Sequence, residues 1–123
     1  MVLDLDETLV NTTTEFVEDF DYKFHQPCCD NEAFITVFVK LRPFLNIFLD
    51  FMSNYYELAI FTAAQQEVNS ANKYADYIIN YIDKKKVITS RLYRQDCTRY
   101  KNGNIKDVTK FGRNLKDVIL IDV

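Results

Sequence analysis

The chain has 123 residues, a net charge of −3 and 48% apolar side chains, with ten Phe and eight Tyr against only two Gly and two Pro. That is material for one domain spanning 1–123, and it excludes a low-complexity linker; without a basic tail it also argues against direct nucleic-acid binding. Asp4 and Asp6 stand where a signal peptide needs an apolar core, and the run Phe44 to Met52 is too short to cross a membrane. The protein is therefore expected inside the cell, in the nucleus or cytoplasm, with no membrane partner.

In chain order, Val2 to Leu5 is a short β-type run ending in acids, and Phe34 to Leu41 is a second strand candidate rich in β-branched residues. Pro43 fits a first helical position, followed by Phe44, Leu45, Ile47, Phe48, Phe51 and Met52 at helical spacing. Glu57 to Phe61 predicts a buried strand, with Thr62 as N-cap of a helix beginning Ala63-Ala64-Gln65-Gln66. Lys73 to Ile82 places Tyr74, Ile78, Tyr81 and Ile82 on one helical face, and Val87 to Tyr93 is again β-type. Asn102-Gly103 predicts a turn between strands Thr98 to Lys101 and Asn104 to Lys106. A short helix from Asp107 to Phe111 closes on Gly112, and Val118 to Asp122 is an apolar strand ending in an acid. Strands alternating with helices, and apolar through their cores, imply an α/β fold with a doubly wound parallel sheet.

Three cysteines, Cys28, Cys29 and Cys97, cannot all pair within the chain, which fits a reducing compartment. His25 with Cys28 and Cys29 lacks a fourth zinc ligand at a usual spacing. With His25 the sole histidine, no Ser-His-Asp or Cys-His set competes for the chemistry.

Ligands of open α/β sheets bind beyond the carboxyl ends of the strands, and there the sequence sets Asp4 and Asp6, Thr62 and Asp122, with Lys106 opening the short helix before the last strand. Singly, Thr62 reads as a helix cap, Lys106 as a surface lysine and Asp122 as a strand-end acid; jointly they suit a phosphate site. Nearby carboxylates call for a hard cation, and Mg²⁺, which takes one or two carboxylates, water and a phosphate oxygen, answers that need. One carboxylate could attack phosphorus while its neighbour carries the proton; the Thr62 hydroxyl and the Lys106 charge would hold the phosphate oxygens.

At these residues the chain resembles the haloacid dehalogenase superfamily, whose first motif is Asp-x-Asp. The longer string Asp4-Leu-Asp-Glu-Thr-Leu-Val10 narrows the likeness to the small C-terminal-domain phosphatases, or Nli-interacting-factor-like phosphatases. Lys40-Leu41-Arg42-Pro43, Phe61-Thr62-Ala63, Lys73-Tyr74-Ala75-Asp76, the stretch from Ser90 to Cys97, Lys106-Asp107 and Val118 to Asp122 match the family in order. The resemblance implies a Mg²⁺-dependent protein serine/threonine phosphatase of haloacid dehalogenase-like, three-layer fold, acting through an aspartyl-phosphate. Asp4 would be nucleophile and Asp6 general acid and base, with Thr62 and Lys106 as phosphate holders. Asp4, Asp6 (also through its carbonyl) and Asp122 would form the metal site, and Arg94 and Tyr74 would line the substrate cleft.

Two departures from the family pattern stand out. Val123 occupies the place of a usual Asn or Asp metal ligand, and family domains continue further, so the resemblance implies truncation at the C-terminus. The segment Glu67 to Asn72 is longer than usual. Neither 11–36 nor 63–105 has room for a globular cap, so the site is expected to be open and to take a phosphorylated protein segment, the RNA polymerase II C-terminal repeat being the family's link. A catalytically impaired phosphopeptide-binding module and a small-molecule phosphatase of the same superfamily are the alternative readings; oligomeric state stays open.

Overall fold

The computed structural model describes residues 1–27, 33–64, 73–101 and 103–123. Its first half runs β1 (Val2–Leu3), β2 (Val10–Thr13), β3 (Tyr22–Pro27), β4 (Phe34–Leu41), α1 (Leu45–Met52) and β5 (Leu58–Phe61). The second half runs α2 (Tyr74–Ile82), β6 (Ile88–Leu92), β7 (Thr98–Tyr100), β8 (Gly103–Ile105) and β9 (Leu120–Ile121), with 3₁₀ turns at Arg94–Asp96, Val108–Phe111 and Leu115–Asp117.

A four-stranded parallel sheet in the order β6-β5-β1-β9 carries the expected α/β architecture. Period-two alternation divides its side chains between two faces. Leu3, Leu58 and Ile60 pack with Leu45 and Leu49 of α1 and Ile78, Ile79 and Ile82 of α2. Val2 and Phe61 turn the other way, against Cys97, Val108, Phe111 and Val118. One face is thus covered by helices and the other by the 3₁₀ turns before β9. Burial of β5 is complete at all four residues, as its continuous apolar run requires.

The strand at Phe34–Leu41 exists with the predicted bounds but belongs to a separate antiparallel sheet, order β2-β4-β3. Its two partners escape sequence reading because neither has an apolar run: β2 reads Val-Asn-Thr-Thr and β3 Tyr-Lys-Phe-His-Gln-Pro. Each becomes a strand only because β4 supplies its hydrogen bonds. This sheet leans on α2 through aromatic contacts, with Tyr22 stacked on Tyr81 at 4.1 Å.

Several predicted bounds shift. Helix α1 begins at Leu45, because Phe44 before it adopts φ 65°, a left-handed conformation that ends the run from Pro43. Leu45 and Leu49 are the residues it buries, while Phe44, Ile47 and Phe51 face outward, so the apolar stripe is narrower than the sequence suggests. The last strand shortens to Leu120–Ile121 at the sheet edge, where Ile119 and Leu120 are each 42% exposed rather than central. Val108–Phe111 is a 3₁₀ turn, capped by Asp107, whose side chain accepts from Thr109 N, and closed by Gly112 at φ 66°. The hairpin β7-β8 forms, though Asn102 of its turn lies outside the described residues. So do Cys28 and Cys29 of the zinc consideration, Gln65 and Gln66 of the helix after Thr62, and the Glu67 to Asn72 segment. Among the described residues no helix is long and apolar enough to cross a membrane.

Candidate active site

Parallel pairing of β5, β1 and β9 puts their carboxyl ends on one edge, and each strand is followed at once by a polar residue: Thr62, Asp4 and Asp122 respectively. β6 ends at the same edge, two residues before Arg94. Together with Asp6, Tyr74 and Lys106 these residues line one cleft of about 580 Å³. The sequence-derived candidates therefore converge, although they come from segments separated by more than a hundred residues.

Asp4 is buried, and both of its oxygens are engaged. Oδ1 lies 2.6 Å from Lys106 Nζ, and Oδ2 accepts from Thr8 Oγ1 at 3.0 Å. The same Lys106 ammonium reaches Asp122 Oδ2 at 2.7 Å. Burial alone would lower the Lys106 pKa, but hydrogen bonds and charge from Asp122 and Asp4 outweigh it and hold the pKa above the ordinary lysine value, so Lys106 is cationic.

Asp6 takes a different direction. Beyond Leu5 the chain turns sharply, with Leu9 N and Val10 N both donating to Leu5 O and Glu7 at φ 62°. Arg42 clamps this turn, Nε donating to Thr8 O at 2.5 Å and Nη2 to Glu7 O at 3.0 Å. The Asp6 carboxylate then meets Tyr74, whose hydroxyl donates to Oδ1 and is 2.8 Å from Thr12 Oγ1. Burial raises the Asp6 pKa; the Tyr74 hydrogen bond opposes this, and the Asp4 charge adds to it. A carboxyl with a raised pKa is suited to giving up a proton during a reaction. Burial and the neighbouring Asp6 charge push the Tyr74 phenol well above its ordinary range, so it stays a donor.

Thr62 is buried, its N–H donating to Leu92 O and its Oγ1 accepting from Ala64 N at 3.1 Å, while the helix it was expected to cap lies beyond the described residues. Arg94 is exposed at the cleft wall, where its Nε donates to Ala63 O at 2.5 Å. His25 bonds Thr36 Oγ1 at 3.0 Å on the antiparallel sheet and does not line the cleft.

The cleft offers oxygen donors of the hard kind that Mg²⁺ takes: the Asp4 and Asp122 carboxylates already share one cationic group. Among the described residues no group of three or more His, Cys, Asp or Glu side chains is arranged to hold a metal ion, and Asp6 is turned to Tyr74. Val123 meets this corner through its main chain, its N–H donating to Thr8 Oγ1 at 3.2 Å while the residue is 86% exposed.

Three contributors escape the sequence reading. Thr8 and Arg42 lie inside motifs already noted, so their position in the string was the available signal. Gln26 had none, because only the pairing of β3 with β4 carries it to the cleft. A second cavity of about 300 Å³ opens at the opposite end of the strands, where Arg113 pairs with Glu57 at 2.8 Å. Chemistry is better placed in the larger cleft, where buried acid, cation and proton donor meet.

The model of the NLI interacting factor-like phosphatases matches residues 1–123. The chain belongs to this family. Similar family proteins include CTD small phosphatase-like protein 2 of Dictyostelium discoideum, 43% identical over 123 residues, and Phosphatase Herzog of Drosophila melanogaster, 36% identical over 122. Each alignment covers 99% of this chain but only 20% and 32% of those proteins' respective lengths. Among solved structures, the fission yeast RNA polymerase II CTD phosphatase Fcp1 bound to beryllium fluoride superposes with a TM-score of 0.74 at 20% identity, over 97% of this chain and 35% of that one. That likeness shows a shared fold.

Proposed function

We propose that this chain is the catalytic domain of a protein serine/threonine phosphatase that hydrolyses phosphomonoesters through Asp4. The observation that carries the reading is the double engagement of Asp4. A buried carboxylate at a strand end is held by Thr8 on one oxygen and by Lys106 on the other, beside Asp6 with its raised pKa.

In this reading Asp4 attacks phosphorus, the bond to the serine or threonine oxygen breaks, and Asp6 gives its proton to the departing alkoxide. Water, losing a proton to the now ionised Asp6, then displaces Asp4 and releases inorganic phosphate. Lys106 and Thr62 hold the equatorial oxygens, where charge accumulates in the transition state, and Arg94 offers a guanidinium matched to phosphate geometry. Asp4, Asp122 and the Asp6 carbonyl would hold Mg²⁺, which when bound supplies positive charge to the phosphoryl group.

Relatives named for action on the C-terminal domain favour a phosphorylated protein segment as substrate, the RNA polymerase II repeat included. Val123, whose side chain cannot coordinate a cation, favours a second reading in which the cleft binds phosphopeptides without cleaving them. Hydrolysis of an aryl phosphate with and without Mg²⁺, beside Asp4→Asn, separates the two. Metal-dependent turnover lost in the variant supports the enzyme; a folded chain that binds phosphopeptide but turns nothing over supports the binding module.

A further inference from the structure

The alternation of β3 decides what Gln26 faces. Phe24 points toward α2, its ring centroid 6.0 Å from that of Tyr74 and 5.1 Å from that of Tyr77. In extended backbone the residue two positions on projects to the same side. Gln26 accordingly brings an amide to the cleft wall near Tyr74, on a strand held by its pairing with Ile35. Among the described residues lining the cleft it is the one amide side chain.

Its Oε1 is buried and has no hydrogen-bond partner, the one such side-chain atom among the described residues. Native structures seldom leave such an atom unpaired, so the missing partner needs a source. Tyr74 is committed to Asp6 and Thr12, two of the three Lys106 N–H bonds go to Asp4 and Asp122, and the remaining Lys106 and Arg94 donors are those assigned above to the phosphate. A phosphate dianion cannot serve, because its oxygens are acceptors like Oε1. Of the groups a substrate brings, only a donor on the moiety that carries the phosphate can pair with Oε1, and a polypeptide brings an N–H at nearly every residue.

We propose that Gln26 is a specificity-determining residue whose amide oxygen accepts a main-chain N–H of the phosphorylated protein segment, adjacent to the phosphorylated residue. The terminal torsion of glutamine is broad, so the amide swings toward the cleft without leaving a staggered well. An aryl phosphate, lacking any such N–H, gains nothing from the group. The proposal rests on the protein-phosphatase reading given above.

Gln26→Leu keeps the bulk and removes the acceptor; Gln26→Met serves equally if the first variant folds poorly. Both are compared with wild type on an aryl phosphate, a phosphoserine peptide, and peptides in which single flanking N–H groups are replaced by ester oxygen. The expected result is a fall in kcat/KM on the phosphopeptide of about 5–10-fold, the scale of one neutral hydrogen bond, carried by KM. Aryl phosphate turnover stays unchanged. One ester peptide should lose the same factor with wild type and nothing further with the variant. Equal losses on peptide and aryl phosphate would reduce Gln26 to a structural role and overturn the proposal. Unchanged peptide kinetics against an active wild type would overturn the assignment to Gln26 alone. Wild type that cleaves aryl phosphate but no phosphopeptide would overturn the protein-phosphatase reading itself, and this inference with it.

Discussion

The Tyr74 hydroxyl donates to the carboxylate of Asp6, 68 residues earlier in the chain. Helix α2 thus supplies the group that orients this carboxylate. Since the single phenolic hydrogen goes to Asp6, Thr12 must donate in the 2.8 Å contact with the same oxygen. Tyr74→Phe keeps the ring packed on Phe24 and removes this hold together with the Thr12 contact. Turnover of an aryl phosphate should fall roughly 3–10-fold in kcat, as expected for one hydrogen bond, with KM little changed. A rise in KM at constant kcat would instead make Tyr74 a substrate contact.

Asp4→Asn preserves shape but supplies a poor nucleophile. Steady-state assays should show a loss of about 10⁴-fold or more in kcat, on the scale seen when other nucleophiles are removed, with a circular dichroism spectrum like that of wild type. Retained activity would remove Asp4 from the mechanism.

Lys106 neutralises two carboxylates at once, at 2.6 and 2.7 Å. Lys106→Ala should lower kcat by roughly 10²–10³-fold through lost stabilisation of the transferring phosphoryl group. Lys106→Arg, keeping the charge but not its compact geometry, should fall between the two.

Alkaline stability follows from Tyr93, which is buried and donates to Asp76 at 2.6 Å. Burial, together with the Asp76 hydrogen bond and charge, pushes its pKa from 10.0 up to about 12. A folded-state pKa above the unfolded one means stability that is complete below pH about 10 and lost as pH rises toward about 12. Urea melts across that window should show the decline, and Tyr93→Phe should flatten part of it.

The orientation of α1 predicts opposite outcomes at neighbouring positions. Leu49→Ala, at a residue 2% exposed, should cost about 2–5 kcal/mol in chemical denaturation. Ile47→Gln, at a residue 66% exposed, should stay within about 0.5 kcal/mol.

The α/β class was legible because β5 is apolar throughout and because helical spacing at Tyr74–Ile82 marks its buried face. Asp4, Thr62 and Asp122 of the cleft were legible for a related reason: each directly follows an apolar run, and parallel pairing then brings strand ends together. At α1 the sequence suggested a broad apolar face, and the left-handed Phe44 with the exposed Ile47 and Phe51 shows that hydrophobicity alone does not say which flank meets the sheet.

By itself the sequence determined the strand-end placement of Asp4, Thr62 and Asp122 and the family to which the chain belongs, since both lie in contiguous strings of residues. Tertiary structure alone decided that Asp6 turns to Tyr74, that Arg42 clamps the turn at Glu7 and Thr8, and that Gln26 reaches the cleft. Those relationships depend on antiparallel registers and helix placement set by partners far along the chain, and a polar strand such as Tyr22–Pro27 has no local pattern that announces them.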